Sequence, residues 1–277
     1  MSARGVPVER RPARSAVKDV LVLCYHGVSE TWPAAGAATP RNVEAQLTQF
    51  LRRGYRGATL SDALTAPQHS RTLVVTFDDA LCSVLTLAFP ILERLEIPGT
   101  VYVPTMYPDS DVPAGWPGYD RWLGTEHEHE LRCLSWDDLR TLARAGWEIG
   151  SHTDSHPRLT TLDDASLKRE LVLSREKCER ELSKPCLSLA YPYSNYDNRV
   201  VVATRQAGYP LALTVALGAE PPLPLQWPRV IVDRKDTAAR VQIRAWRRAK
   251  PPVDLAWRRV ARRARRLKAI AAVTRRP

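Results

Sequence analysis

Two short stretches hold the side chains best suited to hydrolytic chemistry. Thr76-Phe77-Asp78-Asp79 sets two adjacent carboxylates at the end of an apolar run, Leu73-Val74-Val75-Thr76-Phe77. Gly150-Ser151-His152-Thr153-Asp154-Ser155-His156 spaces two imidazoles four residues apart among small polar residues. One carboxylate and two imidazoles supply three ligands of a zinc-type centre and leave the fourth position open. The second carboxylate is then available to take a proton from water activated there. An Asp pair alone often only caps a helix, and two histidines alone often face solvent. Their joint occurrence is what points to metal-assisted hydrolysis.

The surrounding sequence supplies elements to position them. Asp19 to Val28 contains a buried-strand pattern that ends in Tyr25-His26-Gly27. Asn42 is expected to cap a helix through Val43, Leu47, Phe50 and Leu51, with Gly54 as its stop. Strands are predicted at 73–77, 100–103, 147–150, 186–193, 211–215 and 229–232. Helices are predicted at 84–95, where Pro90 marks a kink or the true start, and at 163–182 and 200–207. A further helix follows the cap at Ser135 and stops at Gly146. Strand and helix alternate, and the reactive residues fall at strand ends, so the expected fold class is α/β with a parallel barrel or open sheet. Residues 104–132 form a long loop rich in Pro, Gly, Asp, Trp and His, of the kind that shapes a substrate groove. Its aromatic residues either stack on sugar rings or pin the loop. Glu126-His127-Glu128-His129-Glu130 reads as a solvated run before it reads as a metal site.

Composition narrows the function classes. The chain has 277 residues, 44% of them hydrophobic, and no run of about 18 to 20 apolar residues that would cross a membrane. The start of the chain lacks the apolar core of a signal peptide, so the expected setting is cytoplasmic. Five scattered cysteines form no Cys-x-x-Cys pair, which argues for reduced thiols, with Cys82 and Cys133 expected as small buried residues. The net charge is +11, but residues 244–277 carry thirteen Lys and Arg against the single acid Asp254. That segment is +12 and the rest about −1, so a nucleic-acid-binding body is disfavoured. The expected organisation is a disordered basic arm at 1–18, a catalytic unit at 19–243 and a basic amphipathic tail at 244–277. Trp257, Val260, Ala261, Ala264, Leu267 and Ala271 share one helical face of the tail and arginines fill the rest. The pattern suits peripheral contact with an anionic membrane surface, with docking onto the barrel, nucleic-acid contact and disorder as the alternatives.

Three motifs together resemble the polysaccharide deacetylases, the carbohydrate esterase group with a NodB-like domain. Thr76-Phe77-Asp78-Asp79 is similar to the family's first motif, His152-Thr153-Asp154-Ser155-His156 to its second, and Ala190-Tyr191-Pro192-Tyr193 to its third. The likeness runs from about Val20 to about Asp233. It implies a distorted (β/α)7-type barrel, a carbohydrate substrate and removal of an N- or O-acetyl group with a divalent metal, zinc before others. By position, it implies Asp78 as general base and Asp79, His152 and His156 as metal ligands. The third motif, Pro192 and Tyr193, would lie against the substrate, with the Tyr193 amide holding the developing oxyanion.

Four departures from the family pattern matter. Ala80 stands where a glycine usually follows the Asp pair, Ala190 where an arginine usually stands, and Ser194 where the third motif usually ends in glycine. No histidine lies beyond His156 to supply the catalytic acid. One branch of the family is circularly permuted and carries that histidine near the N-terminus. Leu23-Cys24-Tyr25-His26 resembles that segment, which assigns the acid to His26. Arg229, expected at a strand end, is the candidate to replace the missing arginine by pairing with Asp78. These departures also motivate a rival reading, a binding or regulatory protein with a deacetylase fold and weakened chemistry. A second rival is an adaptor whose function lies in the tail, binding membrane or nucleic acid.

Overall fold

A computed structural model describes residues 19–65, 71–215 and 223–249. The predicted N-terminal arm and the tail beyond residue 249 lie outside the described residues.

In chain order the elements are β1 (Asp19–Tyr25), β2 (Gly27–Val28), β3 (Ala37–Ala38), α1 (Pro40–Arg52), β4 (Arg56–Gly57), α2 (Leu60–Thr65) and β5 (Arg71–Phe77). A π-helical turn, Val84–Ala88, leads into α3 (Phe89–Arg94), followed by β6 (Gly99–Val103), α4 (Trp136–Arg144), β7 (Glu148–Ser151) and α5 (Asp164–Leu182). Then come β8 (Ser188–Ala190), α6 (Asn198–Gln206), β9 (Leu211–Thr214), β10 (Trp227–Pro228), β11 (Val230–Ile231) and α7 (Ala238–Ala249). Leu21 to Tyr25 in β1 and Thr72 to Phe77 in β5 are buried without a break. Continuous burial is what parallel central strands require when helices cover the outside.

The main sheet runs β10-β9-β8-β7-β6-β5-β1-β11, all parallel, with β4 alongside β5. Its two ends, β10 and β11, are separated in sequence by Arg229 alone. The sheet therefore comes nearly full circle, and Arg229 stands at the seam. With β10 and β11 counted as one interrupted strand, β1, β5, β6, β7, β8 and β9 complete seven staves, the number the family resemblance implied.

Several boundaries differ from the sequence reading. The side chain of Thr39, not Asn42, caps α1, and it accepts a hydrogen bond from the Asn42 amide. Pro90 is the second residue of α3 and marks its start, because it has no amide to continue the preceding turn. The strand expected at 186–193 is only three residues long, since the chain turns at Pro192–Ser194. Of the strand expected at 229–232 only Val230–Ile231 forms, with Arg229 standing between it and β10. α7 runs across residue 243, where the catalytic unit was expected to end. The cap at Ser135 lies where expected, in a capping box with Asp138, and Asp163 proves to be the cap of α5, accepting from the Ser166 amide.

One close approach bears on the site. A Cβ on Gly99 would stand 2.3 Å from the Trp147 ring. Its absence lets Trp147 stack on Phe77 at 5.7 Å, directly beneath the Asp pair. No helix among the described residues is long and apolar enough to cross a membrane.

Candidate active site

The reactive side chains meet at the C-terminal ends of the strands, in a cleft of about 530 Å³. The Asp78 amide extends the β5 ladder by donating to the Tyr25 carbonyl at 2.9 Å. Asp79 (φ 70°) and Ala80 (φ 51°) then turn into the left-handed region. This turn, rather than the pleat of the strand, sends the adjacent carboxylates to different partners.

Asp78 is buried and held by the Arg229 guanidinium through two hydrogen bonds, at 2.6 and 2.8 Å. Arg229 is 1% exposed and also donates to Thr76 Oγ1 at 3.1 Å. Burial alone would raise the Asp78 pKa, but the guanidinium overrides it and holds the carboxyl well below the usual range. The same pairing raises Arg229 despite its own burial. The Cys24 thiol approaches the same carboxylate at 3.5 Å.

Asp79 takes a different part. Its Oδ2 accepts from the Tyr119 hydroxyl at 2.7 Å. Its Oδ1 is buried without a hydrogen-bond partner and lies 3.5 Å from both His152 Nε2 and His156 Nε2. A tetrahedral centre with bonds of about 2.0–2.1 Å separates its ligand atoms by about 3.4 Å. The three donors thus fit a shared divalent cation. Burial and then the neighbouring His152 push the His156 pKa well below its ordinary value, which favours the neutral imidazole a cation requires. Burial also raises Asp79, a cost that a cation at Oδ1 would remove.

The histidine loop is positioned by main chain. The His152 amide donates to the Val103 carbonyl at 2.8 Å, and its Nδ1 contacts the Ala190 carbonyl at 2.7 Å. A hydrogen bond from Nδ1 leaves Nε2 as the free donor toward the metal position. Glu170 on α5 ties the loop down by accepting from the amides of Asp154 and Ser155 and from the Ser155 hydroxyl.

His26 follows β1 and lines the same cleft. One of its ring nitrogens, the Cys24 sulfur and an Asp78 oxygen lie within 4.8 Å of one another. Arg229 already bonds both oxygens of Asp78, which sets this cluster apart from Asp79, whose Oδ1 is unpartnered. Tyr193 (φ 55°) and Ser194 (φ 51°) are left-handed, and the Tyr193 ring meets His156 edge-on at 4.7 Å. Pro192 is buried and does not line the cleft.

Three further contributors carry no clear signal in the sequence. Trp116 and Tyr119 come from the 104–132 loop, where aromatic residues stood out but their partners did not. Glu170 shares the inner face of α5 with Leu167, Leu171 and Ser174, and that placement was the available signal. Cys82 and Cys133 are only partly buried; the Cys82 thiol donates to the Cys133 carbonyl and the Cys133 thiol to the Asp79 carbonyl. The Glu126–Glu130 run forms no three-ligand cluster among the described residues.

Ala80 and Ser194 adopt the backbone conformation that glycine favours. For Ala80 the competing effects are similar in size. Relief of a left-handed alanine is worth roughly 1–2 kcal/mol. Loss of a buried methyl costs about 0.8 kcal/mol, and glycine's extra unfolded freedom roughly another 0.5–1 kcal/mol. Ala80→Gly is therefore expected to leave the thermal midpoint within about 3 °C of the parent. A larger shift in a melting experiment would show that the turn is not balanced in this way.

Residues 65–212, just over half of the chain, match the family model described as polysaccharide deacetylase. YxkH of Bacillus subtilis (strain 168), named for the same family, is 22% identical over 204 residues, covering 72% of this chain and 65% of its own. The poly-beta-1,6-N-acetyl-D-glucosamine N-deacetylase of Staphylococcus aureus (strain MRSA252) is 24% identical over 187 residues, covering 64% and 59%. The chain thus spans about three fifths of the length of these relatives. The solved structure of the Streptococcus pyogenes deacetylase PplD in complex with acetate superposes with a TM-score of 0.68 at 18% identity. That superposition covers 82% of this chain and 97% of the other, and shows a shared fold.

Proposed function

Because the chain belongs to the polysaccharide deacetylase family, we propose that it is a metal-dependent hydrolase removing an acetyl group from an N-acetylated sugar, glycan or lipid-linked glycan precursor. The observation that carries this reading is the unpartnered Asp79 oxygen 3.5 Å from two imidazole nitrogens, beside a second carboxylate held ionised by a buried arginine. Asp79, His152 and His156 would hold the cation. Their one-oxygen, two-nitrogen donor set suits zinc first, with other divalent first-row metals able to bind. When bound, the cation supplies Lewis-acid polarisation of the acyl carbonyl and lowers the pKa of water.

The protein's own residues do the rest. Asp78 accepts the proton from the attacking water, oriented for it by the bidentate grip of Arg229. The Tyr193 amide donates to the developing oxyanion. His26 protonates the leaving nitrogen or oxygen. His26→Ala is accordingly expected to lower turnover about 10²- to 10⁴-fold while metal content stays at the parental level. A fall in metal content would move His26 into the ligand set.

Contact with an anionic membrane surface, at the inner face of the cytoplasmic membrane, is part of the proposal. α7 exposes Ile243 (50%) and Trp246 (58%), and the +12 charge of residues 244–277 would act alongside them.

The test is metal content measured together with acetate release from a panel of N-acetyl sugars, glycans and lipid-linked sugars. About one equivalent of zinc, with release that depends on Asp78, is the expected result. No bound metal and no release would favour the binding-protein reading that Ala80, Ala190 and Ser194 motivate.

A further inference from the structure

The two histidine ligands are supported differently. His152 has a main-chain partner for its second ring nitrogen, the Ala190 carbonyl. His156 has none: its Nδ1 is buried without a hydrogen bond. Its ring is instead covered by Trp116, stacked at 4.1 Å with an interplanar angle of 24°. Three residues later in the same loop, Tyr119 donates to Asp79 Oδ2. The Tyr119 amide bonds to the Trp116 carbonyl at 2.9 Å, and the two rings pack on each other at 5.6 Å. Trp32 packs on Tyr119 at 5.5 Å and Tyr107 on Trp116 at 5.1 Å, which anchors the pair in an aromatic cluster.

We propose that Tyr119 is a positioning residue that restricts Asp79 to one coordinating oxygen, and that Trp116 sets the plane of His156. The inserted loop thereby completes the metal centre that the barrel alone leaves loose. The inference rests on the reading of Asp79, His152 and His156 as the ligand set. The physical reason is specific. A carboxylate with both oxygens free can chelate a cation through both and fill a position that water or substrate needs. The Tyr119 hydroxyl occupies Oδ2, so Oδ1 alone faces the histidines. Ligand-orienting groups of this kind typically change metal affinity 10- to 100-fold when removed.

Tyr119→Phe removes one oxygen and keeps the ring packing. The full chain is stripped of metal and titrated with Zn²⁺ against a chromophoric chelator, then with Co²⁺ while visible absorption is recorded. The expected result is a 10- to 100-fold weaker Zn²⁺ affinity, with weaker Co²⁺ absorption as the coordination number rises. Trp116→Leu is expected to weaken Zn²⁺ binding without the change in absorption, because it leaves Asp79 restrained. Parental affinity and an unchanged Co²⁺ spectrum in Tyr119→Phe would overturn this inference and leave the metal reading standing. Failure of the parent protein to bind either ion would overturn both.

Discussion

Replacing Arg229 with methionine is expected to destabilise the protein by about 3–5 kcal/mol and to stop turnover on any acetylated sugar it accepts. The magnitude follows from what remains. Asp78 is buried and receives two hydrogen bonds from this guanidinium, and methionine fills the space without neutralising the charge. A drop in thermal midpoint of roughly 6–20 °C should follow for a chain of this size. Arg229→Lys keeps the charge but not the planar fork, so it should recover only part of the loss. The pH dependence has a definite sign. Asp78 is held well below its unfolded value of about 3.9. Its contribution to stability is therefore fully present above about pH 4 and lost as pH falls through the depressed folded value. In Arg229→Met the sign reverses: burial without the counter-charge raises the Asp78 pKa, so protonation relieves part of the loss and the gap between variant and parent narrows as pH falls. Urea unfolding of both proteins at pH 7 and at about pH 3 measures this, and a stability difference that is the same at both values would remove the ion pair from the account.

The adjacent carboxylates should separate cleanly on substitution. Asp78→Asn is expected to cut turnover about 10²- to 10⁴-fold while keeping about one equivalent of metal. Asp79→Asn is expected to lose the metal and turnover with it. Asparagine at 78 still offers an oxygen to Arg229, but it accepts no proton. Asparagine at 79 offers a weaker, neutral ligand where Oδ1 now faces two imidazoles. Elemental analysis of the two variants, beside single-turnover acetate release, decides the matter. Metal lost from the first and retained by the second would exchange the roles assigned here.

Much of the site was legible because it sits in short, chemically dense runs. Asp78, Asp79, His152 and His156 announce themselves by type and spacing. Asp78 and Asp79 follow a plainly apolar strand, whereas β7 before the histidines, Glu148–Ser151, is short and mixed and was legible only through the alternation around it. The pairing of Arg229 with Asp78 was reached from the need for a counter-charge near a carboxylate whose usual arginine had become Ala190. Trp116 and Tyr119 were not legible as site residues. Nothing local distinguishes a ring that covers a ligand from one that pins a loop, because the difference lies in a contact with His156 or Asp79 tens of residues away. β8 was predicted too long, as 186–193, for a related reason. Leu189 to Tyr193 reads as continuous apolar sequence, and only the left-handed backbone at Tyr193 and Ser194 cuts it off.

The seam at Arg229 also bears on how the protein is made. By residue 156 a growing chain already holds both carboxylates and both histidines, but the counter-charge to Asp78 lies 151 residues beyond it. Until β10 and β11 dock against β9 and β1, closing the barrel would bury an unpaired carboxylate at a cost of several kcal/mol. Contacts of such sequence separation form late and slowly. Pairing of Asp78 with Arg229 and closure of the barrel are therefore coupled. A chain that ends before residue 229 should not be a slow enzyme with its metal ligands in place, but an open sheet that never finishes folding.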